Sequence, residues 1–242
     1  MTGQSDRAAD PAEKAARLHD GGGSTILAID SATTRVVVAA GTRSGELLGA
    51  TDWPAGYRHG ETLLPAVSAL LERLDLAPTS LAAIVVGTGP GAFTGLRVGI
   101  ATAKGLAHAL AVPLIGISTA DALLDAEPED AVLLLPAGPA DRLLVRRHQP
   151  ARLVRAGDEP ERGPGSGAPL VALDLPGRAP DEALERGELA RARLGGALVT
   201  LGAARLAAGD VDDLAGLVPD YVTLPRGVSK ESGEVSWSRD PR

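Results

Sequence analysis

The residues that invite a chemical reading come early. Ile26-Leu27-Ala28-Ile29-Asp30 is an apolar run closed by an acid, and Ser31-Ala32-Thr33-Thr34 follows it. An acid so placed can hold a magnesium-bound water while neighbouring hydroxyls and backbone N–H groups face a phosphate. Asp30, Ser31, Thr33 and Thr34 are therefore candidate nucleotide ligands. The same residue types also make a plain hydrogen-bonded turn between two strands. A second candidate is the loop Gly87-Thr88-Gly89-Pro90-Gly91, where Gly89 and Gly91 would let a phosphate approach the backbone ahead of a helix. It lacks the Lys-Ser/Thr of a P-loop and the spacing of a dinucleotide fingerprint. Close packing of a strand against a helix explains its glycines equally well.

Other catalytic chemistry finds little support. His19, His59, His108 and His148 are scattered, with no pair at helical metal-binding spacing, so no metal site is expected. There is no cysteine, hence no thiolate nucleophile, sulfur-bound zinc or disulfide. Ser166 sits between Gly165 and Gly167 in a Pro/Gly loop rather than in a strand-to-helix nucleophile elbow.

The elements that would position these residues follow from periodicity. Ile26–Asp30, Val36–Ala40 and Glu46–Ala50 read as three strands of an antiparallel meander, an opening unlike a dinucleotide-binding βαβ unit. Leu63, Leu64, Val67, Leu70, Leu71 and Leu74 recur at three- and four-residue spacing, predicting a helix over 61–74. Leu81–Val86 is a buried strand feeding the glycine loop. Thr94 is placed to cap a helix running to Leu110, along which Gly95, Gly99, Ala103 and Ala107 form a nearly bare stripe. The stripe either packs inside its own lobe or admits a helix of another protein. Leu114–Ile117 is a further strand, and Ser118 or Thr119 caps a helix through Leu124. Beyond it, strands are predicted at 132–135, 143–146 and 170–173, and two helices at 181–194 and 197–208. Residues 1–23 and 227–242, polar and aperiodic, are expected to be disordered or flexible tails.

The chain has 242 residues, 44% of them apolar, enough for a real core without cross-links. Its net charge is −7 and aromatics are 2%, the opposite of an autonomous nucleic-acid binder. No apolar run reaches the roughly 18 residues of a membrane span. A cytoplasmic protein, reaching RNA only through others, is the expectation.

Taken as one string, Ile26 to Thr34, His59-Gly-Glu-Thr-Leu-Leu-Pro65, Ile84-Val-Val-Gly-Thr-Gly-Pro-Gly-Ala-Phe-Thr-Gly-Leu-Arg-Val-Gly-Ile100, Ala101-Thr-Ala-Lys-Gly-Leu-Ala107 and Pro113-Leu-Ile-Gly-Ile-Ser-Thr119 resemble the TsaB family. The resemblance runs to about Leu124 and resumes at Pro219-Asp220-Tyr221-Val222. The stretch from Pro136 to Val145 departs from the family pattern.

The resemblance implies a two-lobed α/β fold of the actin-like, ribonuclease H-like kind: mixed sheets flanked by helices, with lobes at 24–118 and 119–226. It implies a non-catalytic scaffold that binds and activates TsaD, the catalytic relative that transfers threonylcarbamoyl to tRNA adenosine next to the anticodon. The ATPase TsaE joins the larger complex. The implied TsaD interface lies on the first-lobe helices, at His59, Glu61, Leu63, Leu64, Val67, Leu71, Gly95, Leu96, Gly99, Ala103 and Ala107. Asp30, Ser31, Thr33, Thr34, Gly89 and Gly91 would then be a vestigial nucleotide site, with ATP and metal on the partner subunits and no cofactor here. A homodimer using the same helices is an alternative assembly. The rival functions are a small ATP-dependent phosphotransferase of sugar-kinase type and a peptidase.

Overall fold

The computed structural model describes residues 23–54, 59–158 and 167–221. The two expected tails, save Gly23, and Ser166 lie outside the described residues. Gly23, assigned to the first tail by the sequence, is buried against the start of the fourth strand.

Two mixed sheets carry the fold. The first has the order β3-β2-β1-β4-β5, built from β1 (Thr25–Asp30), β2 (Arg35–Thr42), β3 (Leu47–Pro54), β4 (Leu81–Gly87) and β5 (Leu114–Ile117). Its first three strands form the expected meander, and β4 and β5 add in parallel beside β1. β1 and β4 are buried along their whole length because both faces of the sheet are covered. The second sheet, order β8-β7-β6-β9, comprises β6 (Val132–Ala137), β7 (Asp141–Arg146), β8 (Arg152–Val154) and β9 (Leu170–Ala172).

Strand alternation divides the core. Leu27, Ile29, Val36, Val38, Ile84 and Val86 point to the outer face, where they meet α1 (His59–Arg73) and α2 (Phe93–Leu110). Ile26, Ala28, Val37, Ala39 and Val85 point inward and share one cluster with the second sheet's Leu133, Leu135, Val145 and Val171. Between them lie α3 (Thr119–Leu124), capped as expected by the Ser118 hydroxyl accepting from Asp121 N–H at 3.1 Å, and α4 (Asp181–Ala207).

Three readings need correction. The predicted pair of C-terminal helices is one helix of 27 residues, α4. Gly195-Gly196 looks like an inter-helix break, yet Gly195 is where the helix lies closest to Ala39 and Ala50, and Gly187 and Gly202 make similar approaches to Ala172 and Val85. Thr94 does not cap α2; that position belongs to Ala92, which makes no side-chain cap bond. Finally β3 extends to Pro54, further than predicted, because the β2–β3 ladder continues through Val36 opposite Trp53 and Arg35 opposite Pro54.

Candidate functional site

The β1–β2 turn and the glycine loop after β4 do come together, at the ends of the two central parallel strands. Asp30 is fully buried. Its Oδ1 accepts from the Ala32 N–H at 2.9 Å and its Oδ2 from the Thr119 hydroxyl at 2.6 Å. Burial pushes the Asp30 carboxyl up to about 6, against the pull of Thr119 and the Ala32 N–H. A Cβ at Gly87 would collide with Oδ2, so glycine there is what admits the carboxylate. Thr119 ties the loop in as well: its Oγ1 accepts from Gly89 N–H at 3.1 Å and its own N–H donates to Gly89 O at 2.8 Å. Ala92 N–H donates to Ala32 O at 2.7 Å, and Gly91 leaves room for that contact.

Each hydroxyl of the turn is likewise engaged within the chain. Ser31 donates to Gly95 O at 2.8 Å, and Thr33 to Arg35 O at 3.1 Å. Thr34 reaches across to the end of β9 in the second sheet, donating from its hydroxyl to Asp174 Oδ1 at 2.6 Å and from its N–H to Oδ2 at 3.0 Å. Asp174 also pairs with the buried Arg191 of α4 at 2.7 Å. Burial raises the Asp174 carboxyl, but the Thr34 and Arg191 contacts outweigh it and hold the group below the usual carboxylate range.

An actin-like fold implies a nucleotide with its magnesium in this cleft, and the residues present do not fit one. The cavity bounded by Ala32, Thr33, Thr34, Gly91, Leu135 and Asp174 has a volume of about 210 Å³, below the roughly 300–1,000 Å³ of small-molecule sites. Asp30, where magnesium water would need a free carboxylate, is shut beneath the loop with both oxygens bonded. The Asp174 carboxylate stands in the cavity wall, where it repels phosphate.

The other predicted residues sit on α1 and α2, which lie side by side on the outer face. Leu63, Val67, Leu71, Gly95, Leu96, Gly99, Ala103 and Ala107 are all buried within the lobe. Gly99 makes room for Ser31, whose hydroxyl passes it to reach Gly95 O. The bare stripe therefore seats α2 on its own sheet. Glu61 and Leu64 are exposed, Leu64 to 50%, and His59 is the first residue of α1. A second small-residue stripe, which the sequence reading passed over, faces outward: Ala101, Gly105 and Ala109 are exposed, and a Cβ at Gly105 would have nothing within 4 Å. A small residue at every fourth place on a helix is a legible signal; which stripe faces solvent is not.

The segment after α4 was also missed as a participant. Asp212 bridges to Leu114 at the free edge of β5 and accepts from Gly116 N–H at 2.7 Å, while Asp220 N–H donates to Thr88 O at 2.8 Å. Tyr221 then stacks beside Phe93, ring centroids 4.8 Å apart, and its hydroxyl accepts from Arg97 Nε at 2.8 Å. Arg97 in turn lies 3.9 Å from the Phe93 ring centroid. Among the described residues no group of three or more His, Asp or Glu is placed to hold a metal ion, and no helix is long and apolar enough to cross a membrane.

Residues 54–153 match the family described as TsaD, tRNA N6-adenosine threonylcarbamoyltransferase. An uncharacterized protein of Mycobacterium tuberculosis is 43% identical over 101 residues, 41% of this chain and 48% of that protein. The tRNA threonylcarbamoyladenosine biosynthesis protein TsaB of Bacillus subtilis is 36% identical over 99 residues, 41% of this chain and 43% of that protein. The chain spans less than half the length of these curated relatives. A crystal structure from Pseudomonas aeruginosa, of an uncharacterized protein with similarity to peptidase YEAZ, superimposes with a TM-score of 0.64 at 23% identity, over 83% of this chain and 100% of that one. That likeness shows the fold.

Proposed function

We propose that this chain, which belongs to the TsaB family, is a non-catalytic scaffold in threonylcarbamoyl modification of tRNA and holds a TsaD-class protein on the outer faces of α1 and α2. The observation that carries the interface is Gly105. Glycine within a helix costs about 1 kcal/mol relative to alanine, and among the described residues no contact calls for it here. A helix of another protein laid across Ala101, Gly105 and Ala109, beside the exposed Leu64, supplies the missing reason. The interface assigned from resemblance keeps its two helices and, on α1, the exposed Glu61 and Leu64, but on α2 it moves to the opposite face.

The scaffold role is supported by the state of the cleft. Asp30 and the three hydroxyls are bonded within the chain, so this subunit has no free groups there for phosphoryl transfer. ATP and metal would be handled by TsaD and TsaE, and tRNA would be met only in the assembled complex, in the cytoplasm. The same outward face would serve a homodimer when the partner is missing.

The test is size-exclusion chromatography with light scattering on the chain mixed with the TsaD-class protein of its own organism. A complex of defined mass is expected. Gly105→Glu and Leu64→Asp should each abolish it while leaving the chain's thermal midpoint close to wild type, because both side chains project into solvent. No complex with the wild-type chain, or full-strength binding by both variants, would overturn the assignment.

A further inference from the structure

The second lobe holds a pair of arginines that neither the cleft nor the helical face uses. Arg142 of β7 and Arg178, in the loop between β9 and α4, are half-buried on one wall of a cavity of about 390 Å³, completed by Pro139, Ala140, Ala156 and Gly157. The two are linked, since Arg142 Nη1 donates to the Arg178 carbonyl at 3.3 Å. Arg142 Nη2 donates to the Asp158 carbonyl. Arg178 Nη1 donates to the carbonyls of Gly138 and Pro139, both at 3.1 Å, and its Nη2 to that of Asp174 at 3.4 Å.

Every one of these acceptors is a neutral backbone oxygen. Among the described residues neither guanidinium has a carboxylate within 4.0 Å. Two acids of the same region are otherwise engaged: Asp141 accepts from Ala156 N–H at 2.9 Å, and the Asp174 carboxylate faces Thr34 and Arg191. Among the described residues two fixed positive charges therefore stand without an ion-pair partner, in a chain whose net charge is −7. Carbonyl contacts lock both planar forks in place but leave further N–H groups of each, a geometry that matches the oxygens of a phosphate or carboxylate. The cavity volume lies within the range of small-molecule sites.

We infer that this cavity binds a small oxyanion, a phosphate- or carboxylate-bearing molecule, between Arg142 and Arg178. A polynucleotide is the weaker fit, because two charges in an acidic chain fall short of the basic surface such ligands need. The site lies on the departing stretch from Pro136 to Val145 and in the loop after β9, so it belongs to this chain's own second lobe and does not depend on the scaffold reading.

The test is calorimetric titration of the full chain at low salt with inorganic pyrophosphate and, separately, with citrate. Saturable binding of pyrophosphate assigns a phosphate ligand, and binding of citrate alone assigns a carboxylate. Arg142→Gln should weaken either by about tenfold or more, as expected for loss of a charged hydrogen bond. Arg142→Lys, which keeps the charge without the fork, should weaken it less, and it provides the comparison should the glutamine variant fold poorly. Absence of saturable binding by both probes, or affinity unchanged in both variants, overturns the inference. Arg142-dependent binding of an RNA stem-loop by a chain that ignores both small anions overturns it too.

Discussion

Two stripes of small residues run along α2, and they answer different needs. Gly95, Gly99, Ala103 and Ala107 face the sheet, where Ser31 fills the space at Gly99 and the core cluster closes over Ala103 and Ala107. Ala101, Gly105 and Ala109 face away from it, and nothing among the described residues accounts for their size. Four-residue periodicity reports that something approaches a helix closely. It does not report whether the visitor comes from the same chain, and only the direction of each stripe separates the two cases.

The difference can be broken most violently at Ala103. Ala103→Asp places an unpaired charge in the outer core and should cost about 4 kcal/mol or more, a large share of an ordinary folding stability. Lost soluble yield and a collapsed thermal transition are expected; a well-folded variant would mean that α2 is rotated from the orientation described.

The floor beneath the inward stripe gives the next effect. Asp30 titrates near 6 when folded, above its unfolded value of 3.8. A raised folded-state pKa contributes stability that is complete below about pH 4 and lost as pH rises through about 6. The loss is of order 3 kcal/mol. Urea unfolding across pH 4–7 should show this decline, and Asp30→Asn should flatten it. Asp174 has the opposite sign: its lowered value contributes stability present above the unfolded pKa and lost on acidification. Asp174→Asn should therefore remove part of the acid-side loss and leave the decline due to Asp30 in place, measured by the same urea series.

The outward stripe yields the smallest shift and the sharpest contrast. Gly105→Ala should stabilise the isolated chain by about 0.5–1 kcal/mol, raising its melting temperature by roughly 1–4 °C. It should also weaken the TsaD-class complex. The corresponding change at Gly99 should destabilise, since its Cβ meets Ser31 Oγ. Equal effects at the two glycines would erase the distinction between the stripes.

Much of the first lobe was legible. β1, β2, β4 and β5, and the helices α1 and α2, follow from β-branched runs and clear helical spacing, and Ser118 caps α3 by an ordinary side-chain rule. Asp30 stands out in the sequence, but its chemistry was not readable, because its partner Thr119 lies 89 residues away. Asp174 and Arg191 are unreadable for the same reason: Asp174 meets Thr34, 140 residues away, and Arg191 only once the chain is folded. The second lobe was harder still. β8 has three residues, too few for alternation to register, and the glycines of α4 signal contact with a sheet rather than the end of a helix.

That single helix sets a timetable for the nascent chain. The inner side of the first sheet is complete in sequence at Ile117, but Leu194, Leu198 and Leu206, which cover it, emerge only later. At about 5–20 residues per second the interval is roughly 4–18 s, during which Ile26, Ala28, Val85 and Ile115 lack the cover of α4. Chaperones that recognise exposed apolar strands would find their substrate in that window, and a message truncated before residue 181 would leave it open permanently.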